Sequence, residues 1–504
     1  MPRAALLALA LLLVLAAPAA AELPLGARSL HETRTSQALA PGVTYTKILR
    51  GKPSRKDAWT VDVAVLASRA DARALAARLR AAGFDAAAES LERPPDDPRR
   101  GPLAYRVRSG RFATEAEADA RAAELGAAGF TVRGSVFTGE DGERTSGPWV
   151  VHVLKLSGRA YGRVAPALAN DVIVARETVS SLAARKGAVA AVNGGYFVIG
   201  DADGTPGDLA GTSILNGRLV SEAVDGRTDL LLGPAFPSVS ALSDTQSVRA
   251  SDGATRLLDG DNRKPGLIRS CGGSGGDAPT EHPLHDVSCT DPSELIRYTR
   301  RFGPSTEPGD GAEAVLDASG AVTALREPRG GAIPAGGTVL AGTGDGAGWL
   351  RAHARPGARL RVDTAVRTPR GRLELRPGLG VVNGGPRLVR RGHADVTAEA
   401  EGFDHADDPG FYYDFGLRRN PRTMAGVERD GDLLLVAVDG GAPGYSAGLD
   451  FEEEAAVMRS LGARDALNLD GGGSTTMVVR GTVVTRPSDA TGERPIGDAI
   501  LVAP

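Results

Sequence analysis

At 504 residues the chain exceeds the size at which a single hydrophobic core keeps growing, so two or three domains are expected. Its net charge of -3 carries no basic excess, which argues against a nucleic-acid binder or a protein held to anionic membranes by charge. Aromatics are only 4%, while Gly (66) and Pro (32) are abundant, the composition of a loop-rich globular chain and not of a fibrous or disordered one.

Residues 1–21 read as a secretory signal peptide, with Arg3 as the positive start, an apolar run from Ala4 to Ala17, and Ala19-Ala20-Ala21 as the cleavage site. The run is short for a membrane span and no longer one follows, so a secreted or cell-wall-associated protein without a transmembrane segment is expected. Residues 22–57 read as a linker, in which the alternating stretch from Val43 to Leu49 is a strand also suited to open a domain formed by the later part of the chain.

From Trp59 to Phe137 the sequence repeats itself: Trp59 matches Tyr105, Val61 matches Val107, Ala72 matches Ala118, Leu79 matches Leu125, and Gly83-Phe84 matches Gly129-Phe130. Each copy reads as strand, helix, strand, which predicts a βαββαβ domain over 58–138 with both helices on one face of an antiparallel sheet. Pro94, Pro95, Pro98 and Pro102 lie in its central connector. The pattern, clearest from Tyr105 to Phe112, resembles the SPOR domain, although Asp62-Val63-Ala64-Val65 stands where that family favours a glutamine-containing strand. The resemblance implies binding of peptidoglycan glycan strands through the sheet face. A purely structural domain of the same fold is the alternative.

Residues 148–504 read as one mixed α/β domain, making the whole chain α+β. A helix from Thr178 to Lys186 stops at Gly187, and another from Phe451 to Leu461 is opened by an Asp450/Glu453 capping box and closed by Gly462. Asn193, Asn383, Asp439 and Asp470 each follow an apolar, strand-like run and precede a glycine pair. One Asx-Gly corner is an ordinary turn. Four of them in a shared sheet would gather carboxylates, amides and unhindered N–H groups in one cleft for a polar, anionic ligand.

Other features carry less. Asp201, Asp203 and Asp208 lack the closing glutamate of a calcium loop, and residues 201–212 read as solvated. His282 and His285 have ligand-like spacing without a third partner. The only two cysteines, Cys271 and Cys289, are expected to pair after export. GTGDGAG from Gly342 to Gly348 reads as a loop, because the βαβ context of a dinucleotide site is missing. The chain has no P-loop, GxSxG or HExxH motif.

Ala191-Val192-Asn193-Gly194-Gly195-Tyr196-Phe197, Gly384-Gly385-Pro386, Pro421-Arg422-Thr423-Met424-Ala425-Gly426, Val438-Asp439-Gly440 and the stretch Ala466 to Thr475 together resemble the phosphodiester glycosidase family. This is the family of the uncovering enzyme, which removes N-acetylglucosamine from a sugar phosphodiester. The resemblance implies hydrolysis of a sugar 1-phosphodiester to free sugar and phosphomonoester, on a cell-wall or extracellular phosphoglycan. Ala40 to Tyr45 resembles the family's opening strand, so the SPOR-like unit is also open to being an insertion in the catalytic domain. The phosphate leaving group is already a stable anion, so gripping it and stabilising an oxocarbenium-like centre matter more than protonating it. Asp439 and Asp470 are the expected nucleophile or base. Arg422, Thr423, Asn193, Gly471, Gly472, Gly473, Ser474 and Thr475 are the expected substrate-binding set. No cofactor is required by this reading, and a divalent metal stays open. A non-catalytic wall-binding protein and a metal-dependent phosphodiesterase are the competing classes.

Overall fold

The computed structural model describes residues 21–141, 145–224, 226–233, 237–270, 278–279, 288–405 and 407–504. Residues 1–20, His282, His285 and Cys271 lie outside them; Cys289 is buried, and no described cysteine is free.

An eight-stranded sheet runs in the order Glu32–Ala40, Val43–Arg50, Trp149–Leu156, Leu433–Val438, Arg422–Glu428, Ala463–Asn468, Arg387–Arg390, His393–Ala394. Alternation decides its two faces. Val151, Val153, Val436, Val438 and Met424 pack with Phe451 and Met458 of the helix Phe451–Ser460. Leu154, Leu435, Ala437 and Leu467 pack on Val192, Met477 and Ile500 of a five-stranded sheet. That second sheet has the order Thr482–Val483, Met477–Val479, Ala190–Asn193, Asp498–Val502, Val164–Leu168, and the helix Val179–Lys186 covers its other face. The central strands are apolar on both faces because both faces are covered. Both helix starts carry side-chain caps: Thr178 accepts from the Ser181 N–H, and Asp450 and Glu453 form the reciprocal box.

Val43–Arg50 pairs directly with Trp149–Leu156, Arg50 opposite Trp149, so everything from 51 to 148 is an excursion between two neighbouring strands of the large sheet. Within that excursion lies a four-stranded antiparallel sheet, ordered Ala87–Leu91, Ala104–Phe112, Trp59–Leu66, Gly134–Phe137. Val61, Val63 and Val107 meet Ala72, Leu79, Ala118 and Leu125 of its two helices. The opposite face is not free. Arg108 pairs with Asp62 and Asp141 and donates to the Tyr413 hydroxyl at 2.8 Å, while Tyr413 donates to Asp62 at 2.7 Å. Arg133–Asp414 and Arg99–Asp404 bridges reinforce the seam, and the Asp96 carboxylate accepts the backbone N–H groups of Glu399 and Ala400. Much of the sheet face to which the resemblance assigns glycan binding is thus covered by the segment 403–419. What stays open is a cavity of about 380 Å³ beside Thr60, Glu89, Arg108, Gly110 and Arg111.

Two local expectations are corrected. Gly342 ends the strand Thr338–Gly342, and Gly344–His353 is a helix whose first turns hold Gly344, Gly346 and Gly348; Gly346 packs against the Glu294 backbone so closely that only glycine fits there. Residues 201–212 are not a solvated loop: Asp203 and Asp208 are buried, and burial pushes the Asp208 carboxyl well above the usual carboxylate range, Glu222 adding to the rise.

Arg108→Ala strands the Asp62 and Asp141 carboxylates in a buried seam, so it is expected to lower stability by about 3 to 5 kcal/mol. Urea midpoints of the variant and the parent chain measure this directly. Loss below about 1 kcal/mol would mean that the seam is solvated.

Candidate active site

Leu433–Val438 and Ala463–Asn468 flank Arg422–Glu428, and each is antiparallel to it. Their carboxyl ends therefore lie at one end of the sheet, two strand spacings or about 9.5 Å apart. Asp439 and Asp470 follow those ends. Pro421 sits between the two corners: a Cβ on Gly440 would come within 2.6 Å of the Pro421 nitrogen, and one on Gly471 within 2.9 Å of its carbonyl. Both corners require glycine for this close approach. The four Asx corners do not share one sheet as expected. Asn193 ends a strand of the second sheet, and Asn383 follows Gly380–Val382 in a third. They meet because the sheets are stacked, with the Asn383 side chain accepting the Tyr196 N–H at 2.8 Å.

Asn193 joins these layers. Its Oδ1 accepts from the Thr423 hydroxyl at 2.7 Å and from the Thr476 N–H at 3.1 Å, and its Nδ2 donates to the Asp470 carbonyl at 2.8 Å. Asn193 and Thr423, both expected to touch substrate, instead hold the Asp470 loop in place. The N–H groups of Gly471 and Gly472 are also committed, to Asp470 Oδ1 at 2.9 Å and to the Pro421 carbonyl at 2.8 Å. The hydroxyls are different. Ser474 Oγ, Thr475 Oγ1 and Thr476 Oγ1 are buried and have no hydrogen-bond partner among the described residues, and neither does Asp498 Oδ2. Buried polar atoms are ordinarily paired, so this concentration marks where a polar ligand belongs.

Asp439 is fully buried. Its Oδ1 accepts the Arg486 N–H at 2.9 Å, and its Oδ2 accepts the Tyr445 hydroxyl at 3.1 Å and lies 3.3 Å from His152 Nε2. His152 Nδ1 is 2.8 Å from the Tyr45 hydroxyl. Burial, with the Asp439 charge second, pushes both Tyr45 and Tyr445 up to about 12. A carboxylate oxygen only accepts, so the contact with Asp439 calls for the Nε2–H tautomer, which leaves Nδ1 of a neutral imidazole to accept from the Tyr45 hydroxyl. The Arg486 guanidinium lies 4.9 Å over the Tyr445 ring.

Asp498 opens the strand Asp498–Val502 and takes one hydrogen bond, from the Gly195 N–H at 3.0 Å. Burial pushes its carboxyl up to about 7 against that bond, with the charge of Asp470 adding to the rise. It is a carboxyl shifted toward its neutral form, with the partly exposed Asp470 as its charged neighbour. Arg494 grips Asp489 with two bonds, at 2.8 and 2.9 Å, and this pair lies flat on Gly473, where a Cβ would overlap both side chains. His152, Tyr45, Tyr445, Asp498, Arg486 and Arg494 were not singled out individually from the sequence. The available signals were a histidine inside the apolar run from Val150 to Leu156 and an aspartate opening another from Ala499 to Val502.

Arg422, expected to grip phosphate, points the other way. It is buried, with Nε 2.9 Å from both the Leu449 carbonyl and Glu454 Oε1, Nη2 bonded to the Phe415 carbonyl, and the guanidinium 4.6 Å over the Phe451 ring. Strand alternation is the reason. Thr423 faces Asn193, so Arg422 faces the helix Phe451–Ser460. Burial pushes the Glu454 carboxyl up to about 8 despite Arg422, so the carbonyl bonds and ring contact carry much of the interaction. Among the described residues, no grouping of three or more His, Cys, Asp or Glu is placed to hold a metal ion.

The family described as phosphodiester glycosidase matches residues 310–503, and the SPOR domain matches residues 56–132. The N-acetylglucosamine-1-phosphodiester alpha-N-acetylglucosaminidase of Mus musculus is 33% identical over 116 residues, 23% of this chain and 22% of that protein. The Homo sapiens protein of the same name is 32% identical over 114 residues, 22% of each. The match thus spans about a fifth of these curated relatives. A solved protein of Burkholderia pseudomallei K96243, named for its predicted export, is 36% identical with a TM-score of 0.86, covering 96% of this chain and 98% of that one. A hypothetical protein from Synechocystis shares the fold at a TM-score of 0.55 and 17% identity, over 94% of this chain and 79% of that one.

Arg422→Ala takes the buried guanidinium donor away from the Leu449 and Phe415 carbonyls, so it is expected to lower stability by about 2 to 3 kcal/mol, on the scale of about 1 to 3 kcal/mol for each buried group left unpaired. An unfolding midpoint equal to that of the parent would contradict its structural placement. Asp498 sets a pH dependence. An unfolded aspartate titrates near 3.9, and the folded one near 7, so the folded chain holds the extra proton between roughly pH 4 and 7. Its stabilising contribution is complete below about pH 4, falls as pH rises through 7, and is then constant. Asp498→Asn should remove about 2 to 3 kcal/mol of the stability lost between pH 5 and 8, read from urea midpoints at both values.

Proposed function

We propose, for a chain that belongs to the phosphodiester glycosidase family and carries a SPOR domain, that it hydrolyses a sugar 1-phosphodiester to free sugar and a phosphomonoester. One observation carries this reading: the unpartnered Ser474, Thr475 and Thr476 hydroxyls and the protonated Asp498 gather beside Asp470 at the end of the sheet that also bears Asp439. Hydroxyl donors and a neutral acid suit phosphate oxygens, while ionised carboxylates suit the positive charge that develops at an anomeric carbon.

In this mechanism Asp470, half-exposed at the mouth, acts as nucleophile or base at the anomeric carbon. Asp439 is the second carboxylate, oriented by His152 and Tyr445. Asp498 donates to the departing phosphate, and Ser474 and Thr475 donate to its remaining oxygens. Arg486 and Arg494 supply positive charge at the rim. Asn193 and Thr423 act as positioning residues.

The apolar stretch at 1–21, read as a signal peptide, supports a location outside the cytoplasm, and the name of the Burkholderia pseudomallei relative, which refers to export, points the same way. A Cys271–Cys289 pair belongs to the same reading. Wall glycan would enter the SPOR unit at the open cavity beside Arg111 and Glu89, since the rest of that sheet face is covered.

The deciding experiment is product analysis on a panel of sugar 1-phosphodiesters, with and without chelator. Free sugar plus phosphomonoester supports the proposal. Sugar 1-phosphate indicates P–O cleavage, and no turnover indicates a binding protein. Asp470→Asn should reduce kcat at least about a hundredfold with an unchanged unfolding midpoint, because it removes a charge and keeps the turn.

A further inference from the structure

A cavity of about 870 Å³ lies at the far end of the eight-stranded sheet from Asp439 and Asp470. The strand Arg422–Glu428 runs between the two ends, a span of about 20 Å at roughly 3.4 Å per residue. The turn from Val427 to Gly431, the strand Arg387–Arg390 and the start of Ala463–Asn468 form its walls.

Six arginines line it, Arg370, Arg387, Arg390, Arg391, Arg429 and Arg464, against three carboxylates, Glu428, Asp430 and Asp465. The pairing is unequal. Glu428 is bound by Lys155 at 2.6 Å, and Asp465 accepts the Arg391 N–H at 3.0 Å and lies 3.6 Å from Arg464. Arg387 is bound by Asp395 at 2.9 Å. Arg370, Arg390, Arg391 and Arg429 are exposed and have no carboxylate partner among the described residues. A chain whose net charge is -3 therefore concentrates uncompensated guanidinium groups around one concavity.

We propose that this cavity is a second anion site, which holds the phosphate groups of a phosphodiester-linked polymer while another part of that polymer occupies the catalytic cleft. The proposal rests on the hydrolase reading for its substrate, and on the arginines alone for its chemistry. Guanidinium forks bind two oxygens of one phosphate at once. No aromatic residue lines the walls, so the bases of a nucleic acid would find no stacking platform. The exposed large hydrophobics Leu49, Ile199 and Leu257 all lie outside it, and its recessed shape does not match a flat bilayer.

The test uses the whole chain and a variant, Arg390→Glu/Arg391→Glu/Arg429→Glu, whose substitutions are exposed and remote from Asp439 and Asp470. Titration calorimetry with inorganic polyphosphate, polygalacturonate and anionic phospholipid vesicles should show polyphosphate bound most tightly by the parent chain, with affinity falling as salt rises. The variant should bind polyphosphate at least about tenfold more weakly at an unchanged unfolding midpoint. It should also lose kcat/KM on a polymeric phosphodiester and keep it on a small sugar 1-phosphodiester. Equal polyphosphate affinity in parent and variant, equal binding of polygalacturonate, or a preference for vesicles each overturns the proposal. Arginine-dependent polyphosphate binding by a chain that turns over no phosphodiester leaves the anion site standing and removes the hydrolase reading instead.

Discussion

The carboxamide of Asn193 is the constraint on which this end of the molecule depends. It reaches from the second sheet to Thr423 in the first, to the Thr476 backbone, and to the carbonyl of Asp470. Each bond contributes about 1 kcal/mol net, but each of those buried groups would cost about 1 to 3 kcal/mol if left unpaired. The asymmetry makes the junction stiff: two sheets cannot slide without exposing several unmet groups at once. A carboxylate on a glycine-rich loop would otherwise wander. Here the loop's main chain is anchored on both sides of Asp470, by the Leu469 N–H just before it on the Thr423 carbonyl and by the Gly472 N–H two residues after it on the Pro421 carbonyl.

A second consequence concerns the SPOR unit. It leaves the large sheet at Arg50 and returns at Trp149, directly opposite in register, so its removal would in principle leave two paired strands to be closed by a short turn. The chain instead invests a buried polar seam in attaching the unit to the segment 403–419. That segment supplies the Phe415 and Arg418 carbonyls that receive Arg422, and Phe415 stacks on Phe403, which meets Tyr196 beside Asn383. The covered face of the SPOR-like sheet and the packing beneath the Asn193–Asp470 junction are therefore linked through one segment.

Local features were legible in the sequence because their causes are local. The Asp450/Glu453 box, the Thr178 cap and Gly187 stop, and the repeat relating Trp59 to Tyr105 all appear at or near the expected places. The gathering of Asx corners was expected, but in one shared sheet, and the structure draws them from three. Sheet stacking depends on contacts hundreds of residues apart, which no local pattern encodes. Arg422 is the instructive error. Its neighbour Thr423 does face the cleft, and a period of two forbids both from doing so. The alternation of Met424 and Ala425, one in each core cluster, carried that information. His152 was hidden for the opposite reason: in a strand buried on both faces, a polar residue breaks no visible alternation.

The chemistry at this end follows from giving similar groups unequal surroundings. Asp439 receives a tyrosine hydroxyl, a backbone N–H and the Nε2 side of His152, all suited to a negative charge. Asp498 receives one N–H, has an oxygen without a partner, and stands near the charge of Asp470. Two carboxylates at one site tend to settle in different protonation states when their environments differ in this way. Burial raises the Asp498 carboxyl toward its neutral form, so below about pH 7 a ligand oxygen that met Oδ2 would find a donor and not a repelling charge. Under the proposed function, an anionic phosphate would then meet hydroxyl groups and a largely neutral carboxyl beside Asp470, even though the guanidinium of Arg422 is turned away into the core.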